Sequence, residues 1–205
     1  MRLALTIVAI SSTAHAQPPM GDCKAQLTER KVSWKPAARP GIAVAVEITG
    51  PLGGIAITGD EPLVIDCSLA VSLDEAGHYL AALGIERAHF VSAYSRRNVA
   101  GTNIPSKHSY GLAIDIPAFA GAELGTLRID RDYQSGLGDD VNCVGEPSTK
   151  NAETLKVLQC QLVRSGLFHL VLSPDYDDAH RDHFHLEVAP WPERTAVRAA
   201  TAAIH

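Results

Sequence analysis

The chain has 205 residues, a hydrophobic fraction of 46 %, a net charge of −5 and a pI near 6.0. That is enough apolar material for one packed domain, and it excludes global disorder. No basic run and no interleaving of Arg with aromatics occurs, which speaks against a nucleic-acid surface.

The chain opens on "MRLALTIVAISSTAHAQ". Arg2, the apolar stretch from Leu3 to Ile10 and Ala14-His15-Ala16 form the n-region, h-region and A-x-A site of a secretory leader. Cleavage is expected after Ala16, leaving a secreted or periplasmic protein. The apolar run is too short for a transmembrane helix, and no later segment could span a bilayer.

Residues 17–40, rich in Pro, Lys and Glu, read as an N-terminal arm. A single domain is expected over 41–190, and an Ala-rich tail over 191–205. Two β-branched runs, 41–50 and 54–58, flank "PLGG" and predict a hairpin. Residues 67–84 read as a helix, with Leu69, Leu73, Ala76 and Leu80 on one face and Gly84 as its stop. A strand over 88–95 leads into a polar loop over 95–106. Strands are expected at 112–116 and 127–130, then a long loop over 131–148. A second helix, 151–166, carries Leu155, Leu158 and Leu162 on one face. A strand at 167–173, a turn at 174–182 and a last strand at 183–188 complete the pattern. The fold class is α+β, a single domain with a central antiparallel sheet and flanking helices.

Four cysteines, Cys23, Cys67, Cys143 and Cys160, in an exported chain suggest two disulfides. Of the three connectivities, Cys23–Cys67 with Cys143–Cys160 joins flanking segments without threading through the candidate site. A cysteine zinc site is disfavoured, because the thiols are scattered.

Two stretches carry the chemistry. "AHRDHFHLE", residues 179–187, holds three of the nine histidines. Alone it leaves three readings open: a metal site, a general-base cluster, or a strand that carries imidazoles. In a strand His183, His185 and Glu187 share a face. "SKHSYGLAID", residues 106–115, places His108 seven positions before Asp115. A carboxylate among Leu112, Ala113, Ile114 and Ile116 is costly to bury unpaired. Together the two stretches offer His, Asp and His, a set that a catalytic zinc takes with one position left for water. Such an ion lowers the pKa of its water. His183, His180 and Asp182 are then candidate bases. "SRR" at 95–97 offers Arg96, or Arg97, as the cation for an oxyanion. Ser106 is expected to brace the turn before His108, and Tyr110 and Tyr176 to line a cleft. His169 is expected to be an ordinary strand residue, and Trp34 and Trp191 packing residues.

The pattern Ser106, His108, Gly111, Ala113, Asp115, followed by His183 and His185, resembles the zinc peptidases of the D-Ala-D-Ala carboxypeptidase, lysostaphin and hedgehog superfamily. "SKHSYGLAIDIPAF" with "PDYDDAHRDHFHLEV" resembles the bacterial extensin-like C-terminal domain family more closely, from about Cys23 to Val188. The resemblance implies an antiparallel sheet presenting a zinc site. His108, Asp115 and His185 would be the ligands, and His183 would orient or deprotonate water. His180 would match an active-site histidine of some murein endopeptidases, and Asp182 the base position of some dipeptidases. An Arg before the first motif, Arg96 or Arg97, would contact the reacting carbonyl. Asp182 departs from the Glu usual at its position, and "SAYSRR" lacks a cysteine that many extensin-like members have.

Three functions follow. The first is an exported zinc hydrolase, read as a monomer, cleaving peptide bonds of peptidoglycan stem peptides. The second is a non-catalytic zinc-bearing module that binds wall peptides or a protein. The third is a disulfide-stapled structural domain without metal.

Overall fold

The computed structural model describes residues 22–137, 143–191 and 193. The expected leader over 1–16 and most of the tail over 191–205 lie outside the described residues. The elements run α1 (Cys23–Glu29), β1 (Trp34–Pro36), β2 (Ala45–Ile48), β3 (Ala56–Thr58), β4 (Val64–Asp66), α2 (Cys67–Ala82) and β5 (Arg87–His89). A 3-10 turn (Lys107–Tyr110) precedes β6 (Ala113–Ile116), β7 (Ala118–Gly121), β8 (Gly125–Arg128), α3 (Ile129–Asp132) and α4 (Lys150–Arg164). Then come β9 (Leu170–Leu172), a second 3-10 turn (Asp178–His180) and β10 (Phe184–Glu187).

The mixed α and β content is as expected, but one central sheet is not. Among the described residues three small sheets form, ordered β1-β2-β4, β6-β10-β9 and β3-β5-β7-β8. Pro117 explains one break. It has no N–H to donate, so the chain leaves one sheet after β6 and enters another at β7. The expected hairpin also fails. Leu52 and Ile55 form an isolated bridge at the turn, but both edges of β2 are taken by β1 and β4. Strand β3 instead pairs in parallel with β5. The strand expected over 88–95 is only the short β5.

The segment from Asp22 onward is not an extended arm. The Asp22 side chain accepts from Lys24 N at 3.2 Å and caps α1. Leu27 is fully buried, and β1 belongs to a sheet. A disulfide joins Cys23 to Cys67, and another joins Cys143 to Cys160. Both pairings are those expected from the sequence, and they fit an oxidising compartment.

Helix α2 is the centre of the core. Every residue from Cys67 to Asp74 is buried, so its first half packs all round rather than on one stripe. Helix α4 lays Leu155, Leu158 and Leu162 inward, each burial contributing roughly 1.5–3 kcal/mol. Trp34 and Trp191 pack against this core from its margin. Among the described residues no helix is long and apolar enough to cross a membrane.

Candidate metal centre

The first motif is built by its own residues. The Ser106 hydroxyl accepts from His108 N at 3.3 Å and caps the 3-10 turn. Gly111 closes the turn in the left-handed region, φ 63°. It also lies so close to β4 that an added Cβ would stand 2.8 Å from Asp66 N. Only glycine meets both demands. Asp66 N donates to Gly111 O at 2.9 Å, while the Asp66 carboxylate caps α2 through Ser68 N at 2.9 Å. The turn that carries His108 is thereby fixed to the core helix.

The second motif arrives by strand register. β10 is antiparallel to β6, and His185 lies directly opposite Asp115. Directly opposed residues share a face at contact distance. The adjacent residues Phe184 and Leu186 point to the other face and are buried in the core. On the free edge of β6, Asp115 N donates to Ser92 O at 2.8 Å. The Asp115 backbone is therefore held from both sides.

The inward atoms converge. His108 Nε2 lies 3.2 Å from both Asp115 Oδ1 and His185 Nδ1, and His185 Nδ1 lies 2.7 Å from Asp115 Oδ1. All three residues are buried, and their ligand atoms lie within 4.8 Å of one another. The outward nitrogens have separate partners: Ser92 Oγ at 3.3 Å from His108 Nδ1, and Glu187 Oε1 at 3.0 Å from His185 Nε2. When neutral, His185 can give its Nε2–H to the Glu187 carboxylate and turn a Nδ1 lone pair inward. Two imidazole nitrogens only 3.2 Å apart have room for at most one proton between them. A cation satisfies both lone pairs and the carboxylate together, so the set can hold a metal ion.

The family described as Extensin-like protein C-terminus matches residues 21–197. The chain belongs to this family. No curated protein and no solved structure matches it. The family match spans α1 to β10, and therefore every residue of the centre.

In this extensin-like domain the electrostatics follow the geometry. Burial raises the Asp115 carboxyl, but hydrogen bonds from His108 and His185 outweigh it and hold the group well below the usual carboxylate range. Burial lowers His185, but its bonds to Asp115 and Glu187 prevail and push it up to about 9. Glu187 is raised by burial, and its bond to His185 brings it net below its ordinary value.

The other expected site residues form the rim. His183 Nε2 stands 3.5 Å from Asp115 Oδ1, and its Nδ1 lies 2.8 Å from Asp182 Oδ1. Asp182 thus engages His183 rather than the three-residue cluster. The His180 ring lies 5.2 Å from that of His183 and 5.6 Å from that of His185, with Nδ1 on Asp177 Oδ1 at 2.6 Å. Tyr176 meets His180 edge-on. Of the two arginines Arg97 reaches the cluster, 3.6 Å from Asp115 Oδ2. Arg96 instead lines the adjoining cleft with Tyr110, because the chain turns there through Arg97 N bonding to Ser95 O. His169 is exposed, and its backbone N donates to Glu187 O at 2.7 Å.

Ser92 and Asp177 were not legible as site residues. Ser92 has no local signature and arrives through its bridge to Asp115. Asp177, three positions before His180, caps its turn through Ala179 N at 2.9 Å, and that spacing is the pattern by which it could have been found.

Proposed function

We propose that this extensin-like domain is an exported zinc-dependent hydrolase of peptide bonds in peptidoglycan stem peptides, of carboxypeptidase or endopeptidase type. The observation that carries the reading is the convergence of His108 Nε2, Asp115 Oδ1 and His185 Nδ1, with a third imidazole, His183, 3.5 Å from the shared carboxylate. Two His and one carboxylate form a donor set suited to zinc, and its resemblance to the D-Ala-D-Ala carboxypeptidase and lysostaphin pattern names the substrate class. When bound, zinc supplies a water of lowered pKa and polarises a carbonyl.

The chain's own residues would do the rest. Asp182 accepts from His183 Nδ1–H, which leaves Nε2 on the cluster side free to take a proton. Asp177 does the same for His180, whose ring borders both His183 and His185. Asp182 then acts through His183, its short side chain being already engaged. Arg97 is the cation nearest the cluster and would stabilise negative charge on the carbonyl oxygen.

The test is metal content followed by product analysis. Protein purified without chelator should carry about one zinc per chain by mass spectrometry, and His108→Ala should carry none. Incubation with purified peptidoglycan should release new muropeptides. Bound zinc without products favours the binding module; no zinc, with His108→Ala unchanged in thermal stability, removes the metal reading.

A further inference from the structure

Beside the cluster lies an open cleft of about 450 Å³, lined by Pro40, Gly41, Arg96, Arg97, Asn98, Pro105, Ser109 and Tyr110. Its volume is in the range of small-ligand sites, roughly 300–1,000 Å³. Among the described residues no acidic side chain lines it. The two arginines that line it differ in commitment. Arg97 faces Asp115 Oδ2 at 3.6 Å, whereas Arg96 is exposed and forms no ion pair among the described residues.

The cleft wall is built rather than incidental. Ser109 Oγ accepts from Arg97 N at 3.0 Å and lies 2.8 Å from Arg97 O, and Ser106 N donates to Arg97 O at 3.0 Å. These bonds tie the arginine segment to the turn that carries His108. Gly41, also at the cleft, has φ 90°, and an added Cβ would come within 2.7 Å of Ser109 O. The Tyr94 hydroxyl donates to Pro40 O at 2.9 Å and holds that segment in place. The cleft is thus registered to the cluster through these backbone contacts.

We propose that this cleft is a subsite for the free C-terminal carboxylate of a peptide, with Arg96 as its charge partner. A guanidinium fork matches a planar carboxylate with two parallel hydrogen bonds. One uncommitted guanidinium suits one anionic group, and a chain of net charge −5 does not suit a polyanion. Arg97 spans from the cleft wall to Asp115. Because Arg97 lines the same cleft and reaches Asp115, a carboxylate held at Arg96 can leave the preceding peptide group beside Arg97. The reaction implied is removal of a terminal residue rather than cleavage within a crosslink. The inference rests on the proposed hydrolase for its substrate class, but the carboxylate preference is a binding property and can be measured without turnover.

The experiment compares acetyl-Lys-D-Ala-D-Ala with its C-terminal amide by calorimetry on zinc-loaded His183→Ala, which keeps the ion without turnover, and by product analysis on the unmutated protein. The free acid should bind at least about tenfold more tightly, the effect of one charge-assisted contact. In Arg96→Gln, with metal content and thermal stability verified as unchanged, the preference should fall below about threefold. Equal binding of acid and amide, absence of binding by both, or a preference that survives Arg96→Gln overturns the subsite. A protein that prefers the acid and cleaves neither peptide keeps the subsite and loses the hydrolase. One that cleaves the amide as readily as the acid keeps the hydrolase and loses the subsite.

Discussion

The floor and the rim of the centre use the same residue types in opposite ways. On the floor, His108, Asp115 and His185 have side chains at most 8 % exposed, and two imidazoles share one carboxylate. On the rim, each imidazole has its own exposed aspartate, Asp177 for His180 and Asp182 for His183. Sharing leaves lone pairs converging on one point. Private pairing engages one ring nitrogen closely, and the second nitrogen of His183 stands 3.5 Å from Asp115 Oδ1. The first arrangement suits a bound cation and the second suits proton transfer, although neither can be told from a count of histidines.

The sharpest way to break this division is Asp115→Ala. It removes the shared acceptor, so stoichiometric metal should disappear by mass spectrometry. Chelation of the unmutated protein should lower Tm by on the order of 10 °C, for an ion bound at about a thousandfold over its Kd. Asp115→Ala should show no such response to chelator. Next is His183→Ala, which should keep the metal while muropeptide release falls by about 10²–10⁴-fold. Loss of metal in that variant would move His183 to the floor. Glu187→Gln should weaken metal affinity by about 10–100-fold, because the acceptor that orients His185 is weakened; unchanged affinity in a chelator competition would make Glu187 a bystander. The smallest effect on stability belongs to Asp177→Asn. Its Tm should move by no more than about 2 °C, as for an exposed site, while turnover drops and metal content stays the same.

Much of the floor was legible because its instructions are local or period-two. Ser106, His108 and Gly111 encode a capped turn within six residues, and His183-x-His185 on a strand puts both rings on one face. The helix over 150–164 was legible from Leu155, Leu158 and Leu162, since helical periodicity persists over four turns. The partition into three sheets was not. Strands of three or four residues, such as Ala56–Thr58 and Arg87–His89, are too short for alternation to mark an edge, and their partners come from distant parts of the chain. The same limit hid Ser92, whose role depends wholly on which strand Asp115 meets. Arg97 could not be separated from Arg96, because a bend at Ser95 decides which neighbour turns inward.

The pairing of β6 with β10 has a further consequence. Asp115 and His185 stand 70 positions apart in the chain, and His108 and His185 stand 77 apart, whereas the two disulfides span 44 and 17. An ion held by these side chains would close a longer loop than either covalent bridge, and loop-closure entropy grows with loop length. The centre would then be a third staple, reversible where the others are covalent. It would join the front half of the domain to its last strand whether or not a peptide ever reaches the cleft.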